Sequence, residues 1–297
     1  MDRARKIAIL GMTVSGMLAI LKITIGWLGH SASVSADGME STADVFASGL
    51  VLIGLTLAQR PADKNHPYGH GRFEILTGLL LGFLLFDAGC LIAWHGIAGA
   101  SDVRSVPESW AVWPLLISIG AKLCLVLIKY KHGRQIGSSS LLADATNDGI
   151  DMLSGLVALG ALSLTLHNPA RFPLADHYGA FCVGLIVIGT ALRVMRETSL
   201  HLLDTMPDDQ TIRGIREAAL SVPNVAGVEK CFARKTGFKY HVDLHLEVDP
   251  DISVHASHDI AQKVRERIRE QLPWVADVLV HVEPWQPVGS PPPRANA

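Results

Sequence analysis

Six apolar stretches, each near the length of a bilayer-spanning helix, constrain this chain more than any other feature. They run over roughly 7–28, 33–59, 75–99, 110–131, 141–166 and 177–198, against the ~20 apolar residues a spanning helix needs. Charged residues make up 18% of the 297 positions, and the deficit from the usual ~25% is concentrated before residue 200. The opening MDRARK followed by an apolar run has the look of a signal peptide. That run continues to about Leu28, past the usual 7–15 residues of a signal core, so it reads as a retained first helix. A net charge of −2 with no basic stripe argues against a nucleic-acid partner. Cys90, Cys124, Cys182 and Cys231 form no CxxC pair, which argues against a disulfide framework or a thiolate metal site.

An even number of spans puts both termini on one side. The short loops set which side. One set holds Arg3, Arg5, Lys6, Arg60, Lys64, Arg72, Lys129, Lys131, Arg134, Arg193 and Arg196; the other holds Arg104 and Arg171. The positive-inside bias makes both termini cytoplasmic. The protein is thus expected to be multi-pass, in a bacterial inner membrane or one derived from it. Residues 1–204 form the membrane domain and 205–285 a soluble cytoplasmic domain, and the Pro-rich tail 286–297 reads as disordered. Within the soluble domain the pattern predicts a helix over 208–221, strands over 227–237 and 239–248 joined by a turn at Lys235–Gly237, an amphipathic helix capped by Ser253, and a last strand over 276–284.

The chemistry lies inside the membrane. The second span reads ADGMESTAD from Ala36 to Asp44, and the fifth reads ADATNDGID from Ala143 to Asp151. Both fit A-D-x-x-[E/N]-x-x-x-D. Residues four apart share a helix face, so Glu40 sits one turn from Asp44, and Asn147 one turn from Asp151. An ionised group costs roughly 2.5–3.5 kcal/mol at the centre of a spanning helix, and neither helix carries a lysine or arginine near these acids. Two such stripes brought together offer three carboxylates and one amide oxygen, a fitting cage for a divalent cation. The same carboxylates take up protons when metal leaves. Asp37, Asp144 and Asp148 are weaker ligand candidates: Asp37 and Asp144 lie near the ends of the apolar runs and read as capping or hydrated positions, and Lys22 and Lys122 read as snorkelling or locally paired.

Two further clusters lie outside the spans. The loop after the second span holds Asp63, His66 and His70, a carboxylate and two imidazoles suited to a zinc-like site. In the soluble domain, His245, His281 and Glu283, with His258 from the helix, form a second candidate metal site.

Taken together, the paired acid stripes, the loop PADKNHPYGHGR and the tail motifs LHLEVD and VHVEP resemble the cation diffusion facilitator family over about residues 5–285. The resemblance implies a membrane all-α six-helix bundle, a C-terminal α+β ferredoxin-like cytoplasmic domain, a homodimer, and export of divalent metal in exchange for protons. By the same resemblance the transport site falls on Glu40, Asp44, Asn147 and Asp151, and Arg72 and Asp204 form a structural charge pair. Many zinc members carry Asp and His where this chain has Glu40 and Asn147, and a cytoplasmic His where it has Glu229. An all-oxygen transport site suits Mn²⁺ or Fe²⁺ better than it selects Zn²⁺. The metal is then substrate and regulator. The alternative is a dimeric metal sensor or scaffold with little transport. An enzyme is disfavoured, since the chain has no HExxH or nucleophile–base motif.

Overall fold

The computed structural model describes residues 2–100, 106–136, 139–237 and 239–285; the Pro-rich tail 286–297 lies outside the described residues. Six helices are long and apolar enough to cross a membrane. They are α1 (Asp2–Leu28), α2 (Ala32–Ala58), α3 (Arg72–Ala100), α4 (Val112–Ile136), α5 (Ser139–His167) and α6 (Ala175–Leu202). The chain divides into two compact units, one of residues 1–54 and 77–196, the other of residues 55–76 and 197–297. The loop between α2 and α3, read from sequence as part of the membrane domain, therefore clusters with the C-terminal domain.

In the first unit, Val34, Ile92, Leu115, Leu162 and Val183 make a dry centre, while large apolar side chains such as Trp27, Phe46 and Trp94 point outward. Outward-facing apolar groups are what a lipid solvent calls for. Small residues let the helices approach closely, as in membrane bundles generally. A Cβ on Gly26 would lie 2.6 Å from the Ser35 backbone nitrogen, and one on Gly38 would lie 2.8 Å from that of Ile23. These two contacts press α1 against α2. At one end of the unit, buried Asp176 opens α6 and accepts hydrogen bonds from the hydroxyls of Ser31 and Ser33 and, at 2.5 Å, from the Ala32 N–H. Its own N–H donates to the Thr165 hydroxyl at 2.9 Å. Through its carboxylate and its backbone N–H, this one residue of α6 ties the α1–α2 turn and α5 together.

The C-terminal part of the second unit runs α7 (Asp209–Leu220), β1 (Gly227–Thr236), β2 (Lys239–Val248), α8 (Val254–Gln271) and β3 (Val275–Pro284). The sheet order is β1-β2-β3, with β1 antiparallel to β2 and β3 parallel to it. A parallel partner requires a crossover, and α8 supplies it. The bundle is therefore followed by a ferredoxin-like α+β domain. Alternation along β2 buries Val242, Leu244, Leu246 and Val248 against Ile215, Val264 and Ile268. Asp208 and Ser253 cap α7 and α8 by accepting from the Thr211 and Ala256 N–H groups.

Candidate metal centres

The acids of α2 and α5 meet inside the first unit. Ser154, on α5, donates to Glu40 Oε1 at 2.8 Å. Glu40, Asp44 and Asp151 are near enough for their charges to act on one another. Glu40 Oε2 and Asp44 Oδ2 are buried and have no hydrogen-bond partner among the described residues. Such atoms are costly unless a cation or proton meets them. Asn147 lies one turn before Asp151 but is exposed, while its neighbour Asp148 is 3% exposed. In this conformation α5 thus directs Asp148, Asp151 and Ser154 inward and leaves Asn147 at the flank.

Neither α2 nor α5 carries a lysine or arginine, but the neighbouring helices α1 and α4 supply lysines to these acids. Lys22 of α1 meets Asp37 Oδ2 at 2.7 Å and donates to the Ser41 hydroxyl at 2.6 Å. Lys122 of α4 donates to Asp148 Oδ1 at 2.9 Å and to Asp151 Oδ2 at 2.5 Å. Lys129 donates to Asp148 Oδ2. Lys129, which the charge pattern assigned to a loop, is 3% exposed. Asp37 neither caps nor hydrates a helix end; like Asp148, it is buried in an ion pair. The side chain of Asp144 lies outside the described residues.

The other two clusters fall in the second unit, and each brings three ligand atoms within 4.8 Å of one another. In the loop, Asp63 Oδ1 accepts from the His66 N–H at 2.7 Å and the Asn65 N–H at 2.9 Å. The His66 amide above all holds the Asp63 carboxyl below its ordinary range. His70 Nδ1 donates to the Pro61 carbonyl at 3.1 Å, which leaves Nε2 facing Asp63 Oδ2 at 3.4 Å. Two acceptors facing one another need a proton or a metal ion between them. The loop is seated on the β1–β2 turn, since Gly71 packs on the backbone of Thr236 and Gly237. A cavity of about 440 Å³ opens beside it, lined by His66, Tyr68, His70, Arg72, Arg234 and His241.

In the sheet, the parallel register sets His245 opposite His281 and Glu247 opposite Glu283. His245 Nδ1 lies 2.6 Å from Glu283 Oε1, and His281 Nε2 lies 3.5 Å from the same oxygen. Hydrogen bonding to the Glu229 carboxyl, and then to His245, holds Glu283 below the usual carboxylate range. His258 is exposed on α8 and is not among the three clustered ligands. Glu229, which stands where many zinc members carry a histidine, acts on the Glu283 carboxyl but is not among the three clustered ligands. Arg72 Nη2 lies 3.1 Å and 3.5 Å from the two oxygens of Asp204.

Comparison with known proteins agrees with this architecture. Residues 8–203 match the cation efflux transmembrane domain, and residues 207–285 match the cytoplasmic domain of cation efflux proteins. An uncharacterized transporter of Bacillus subtilis, YdbO, is 32% identical over 291 residues, covering 96% of this chain and 97% of that one. The manganese efflux system protein MneS of the same organism is 32% identical, covering 90% of this chain and 91% of its own. The cation-efflux pump FieF of Pectobacterium atrosepticum is 27% identical, covering 93% and 91%. The chain belongs to the cation diffusion facilitator family of divalent-metal efflux transporters. It is a multi-pass membrane protein of a family of transporters, not enzymes.

Proposed function

We propose that this protein exports Mn²⁺, with Fe²⁺ as the next best substrate and Zn²⁺ after it, from the cytoplasm in exchange for protons. Metal binds Glu40, Asp44 and Asp151, joined by Asn147 when α5 turns that residue inward, and leaves when the bundle opens to the far side. The carrying observation is the pair of buried oxygens, Glu40 Oε2 and Asp44 Oδ2, that lack any hydrogen-bond partner among the described residues beside a third carboxylate. Hard oxygen donors favour Mn²⁺ over the borderline-soft Zn²⁺, and the likeness to MneS supports the same choice. Protons are the natural exchange partner, because emptied carboxylates in a dry site are best kept neutral.

In this reading the chain works as a homodimer, with both termini in the cytoplasm and the bundle in the bacterial inner membrane or one derived from it. The cytoplasmic-domain family match supports the dimer. The Asp63, His66, His70 cluster and the His245, His281, Glu283 cluster bind metal as regulators. The test is Mn²⁺ flux in proteoliposomes under an imposed pH gradient. Asp44→Ala and Asp151→Ala should each abolish the gradient-driven component; wild-type rates in both would overturn the proposal.

A further inference from the structure

The transport acids are already partly occupied by a cation that the protein supplies. Lys122 Nζ touches Asp151 Oδ2 at 2.5 Å and Asp148 Oδ1 at 2.9 Å, with the lysine side chain 4% exposed and the two acids 9% and 5%. Lys129 takes the other oxygen of Asp148. Asp148 therefore has one oxygen for each lysine. Asp151 shares Lys122 with it.

The charges around the described acids of α2 and α5 can be counted. Lys22, Lys122 and Lys129 stand against Asp37, Asp148 and Asp151 in direct ion pairs. Glu40 and Asp44 are in none. When these five acids of α2 and α5 are all ionised, they exceed the three lysines by two negative charges, which equals the charge of one divalent ion. A metal that also took Asp151 would come against the Lys122 ammonium, and two cations on one carboxylate repel strongly in a dry site. An ammonium on a flexible four-carbon stem with three donors can release one acceptor and keep another by rotation of its side chain alone.

We propose that Lys122 is a built-in counter-cation of the transport site: it occupies Asp151 when metal is absent and retires onto Asp148 when a divalent cation takes its place. The proposal rests on the reading of Glu40, Asp44 and Asp151 as transport ligands. Lys122 then acts as a positioning residue that competes with metal. It weakens binding, and it speeds release by returning to Asp151 as the metal leaves. Asp148 is the parking site that makes binding affordable at all.

The experiment measures Mn²⁺ binding to the full chain in nanodiscs, scoring the component that Asp44→Ala removes, alongside efflux from proteoliposomes. Lys122→Met should tighten that component by roughly tenfold and slow efflux, since the competitor is gone (tenfold is ~1.4 kcal/mol). Asp148→Asn should weaken it by a similar factor, because Lys122 then loses the one acid besides Asp151 with which it is paired among the described side chains. The double variant should return toward wild-type affinity. A merely structural lysine predicts the opposite sign: Lys122→Met would weaken binding or leave it unchanged, which would overturn the proposal while the Asp44-dependent site stands. No Asp44-dependent binding in the wild type would overturn both readings. Should Lys122→Met yield no folded protein, Asp148→Asn decides alone, with unchanged affinity counting as refutation.

Discussion

Lys22 and Asp37 face one another across α1 and α2 with 2.7 Å between Nζ and Oδ2, and each side chain is 2% exposed. The geometry is that of an ion pair held by charge and not by an aligned hydrogen bond, since Asp37 Oδ2 has no hydrogen-bond partner among the described residues. Removing one member strands the other in a dry interior, at a cost of about 3–5 kcal/mol. Lys22→Met should therefore lower the apparent melting temperature of the detergent-solubilised protein sharply. Lys22→Met combined with Asp37→Asn should recover most of that loss. Equal melting temperatures for the single variant and wild type would show that the pair does not hold α1 to α2.

That pair also marks where sequence reading ended. The six spans were legible because apolar length is a one-dimensional property, and the face shared by Glu40 and Asp44 followed from helical periodicity alone. Neither property says which helix lies next to which. The approach of α1 to α2 depends on Gly26 and Gly38 admitting backbone where a Cβ would collide, and only that approach brings Lys22 to Asp37. The pairing of Lys122 and Lys129 with Asp148 is hidden in the sequence for the same reason: the partners belong to α4 and α5 and are 19 to 26 residues apart. In the soluble domain the alternation of β2 and the cap at Ser253 are local signals and were readable. The closeness of His245 to His281 depends on strand register across a crossover, which sequence spacing does not set.

Gly71 is the hinge on which the loop cluster rests. A side chain there would run into the Thr236 carbonyl, and the facing turn is committed by Gly237 at φ +73°. Neither backbone can yield cheaply. Gly71→Ala should lift the loop from the β1–β2 turn and separate His66 and His70 from their present 4.3 Å ring spacing. Hydrogen-exchange mass spectrometry should then show faster exchange over residues 61–72, with β2 and β3 unchanged. Protection equal to wild type would mean the loop is held by other contacts.

The cluster of His245, His281 and Glu283 should make the second unit's stability metal-dependent. An ion bound to the folded state alone, at a hundred times its Kd, adds about 2.7 kcal/mol. Mn²⁺ or Zn²⁺ should accordingly slow exchange in β2 and β3, and a chelator should reverse the effect. His281→Ala should remove most of this protection, because it leaves two ligands. An undiminished metal effect in that variant would place the regulatory ion elsewhere.

His241 should give the same domain a pH dependence of its own. Burial, partly opposed by the nearby Asp277 charge, holds its imidazole below the ordinary histidine value of about 6.5. The unfolded chain thus binds the proton more readily than the folded one. Stability from this group is complete above the ordinary value and is lost as pH falls through the depressed one. Exchange in β2, corrected for the intrinsic rate at each pH, should speed up as pH drops below the ordinary value. His241→Gln should flatten that slope; an identical slope would assign it to another group.

In the proposed transport cycle, Asn147 is the residue expected to set which metal the site prefers. It shares a helix face with Asp151 and supplies an amide oxygen where an imidazole would add a borderline-soft nitrogen. With Asn147 the donor set is all oxygen, which suits Mn²⁺; with a histidine it approaches the nitrogen and carboxylate mixture that Zn²⁺ takes in tetrahedral sites. Asn147→His should therefore shift the Zn²⁺ to Mn²⁺ transport ratio upward by on the order of tenfold, or ~1.4 kcal/mol of preference. The measurement is competitive uptake of the two ions into the same proteoliposomes, so that differences in protein insertion cancel. Because Asn147 is exposed in the present conformation, the shift also requires α5 to turn it toward Asp151 during the cycle. An unchanged ratio would mean that residue 147 never joins the ligand sphere, and that Glu40, Asp44 and Asp151 carry the ion by themselves.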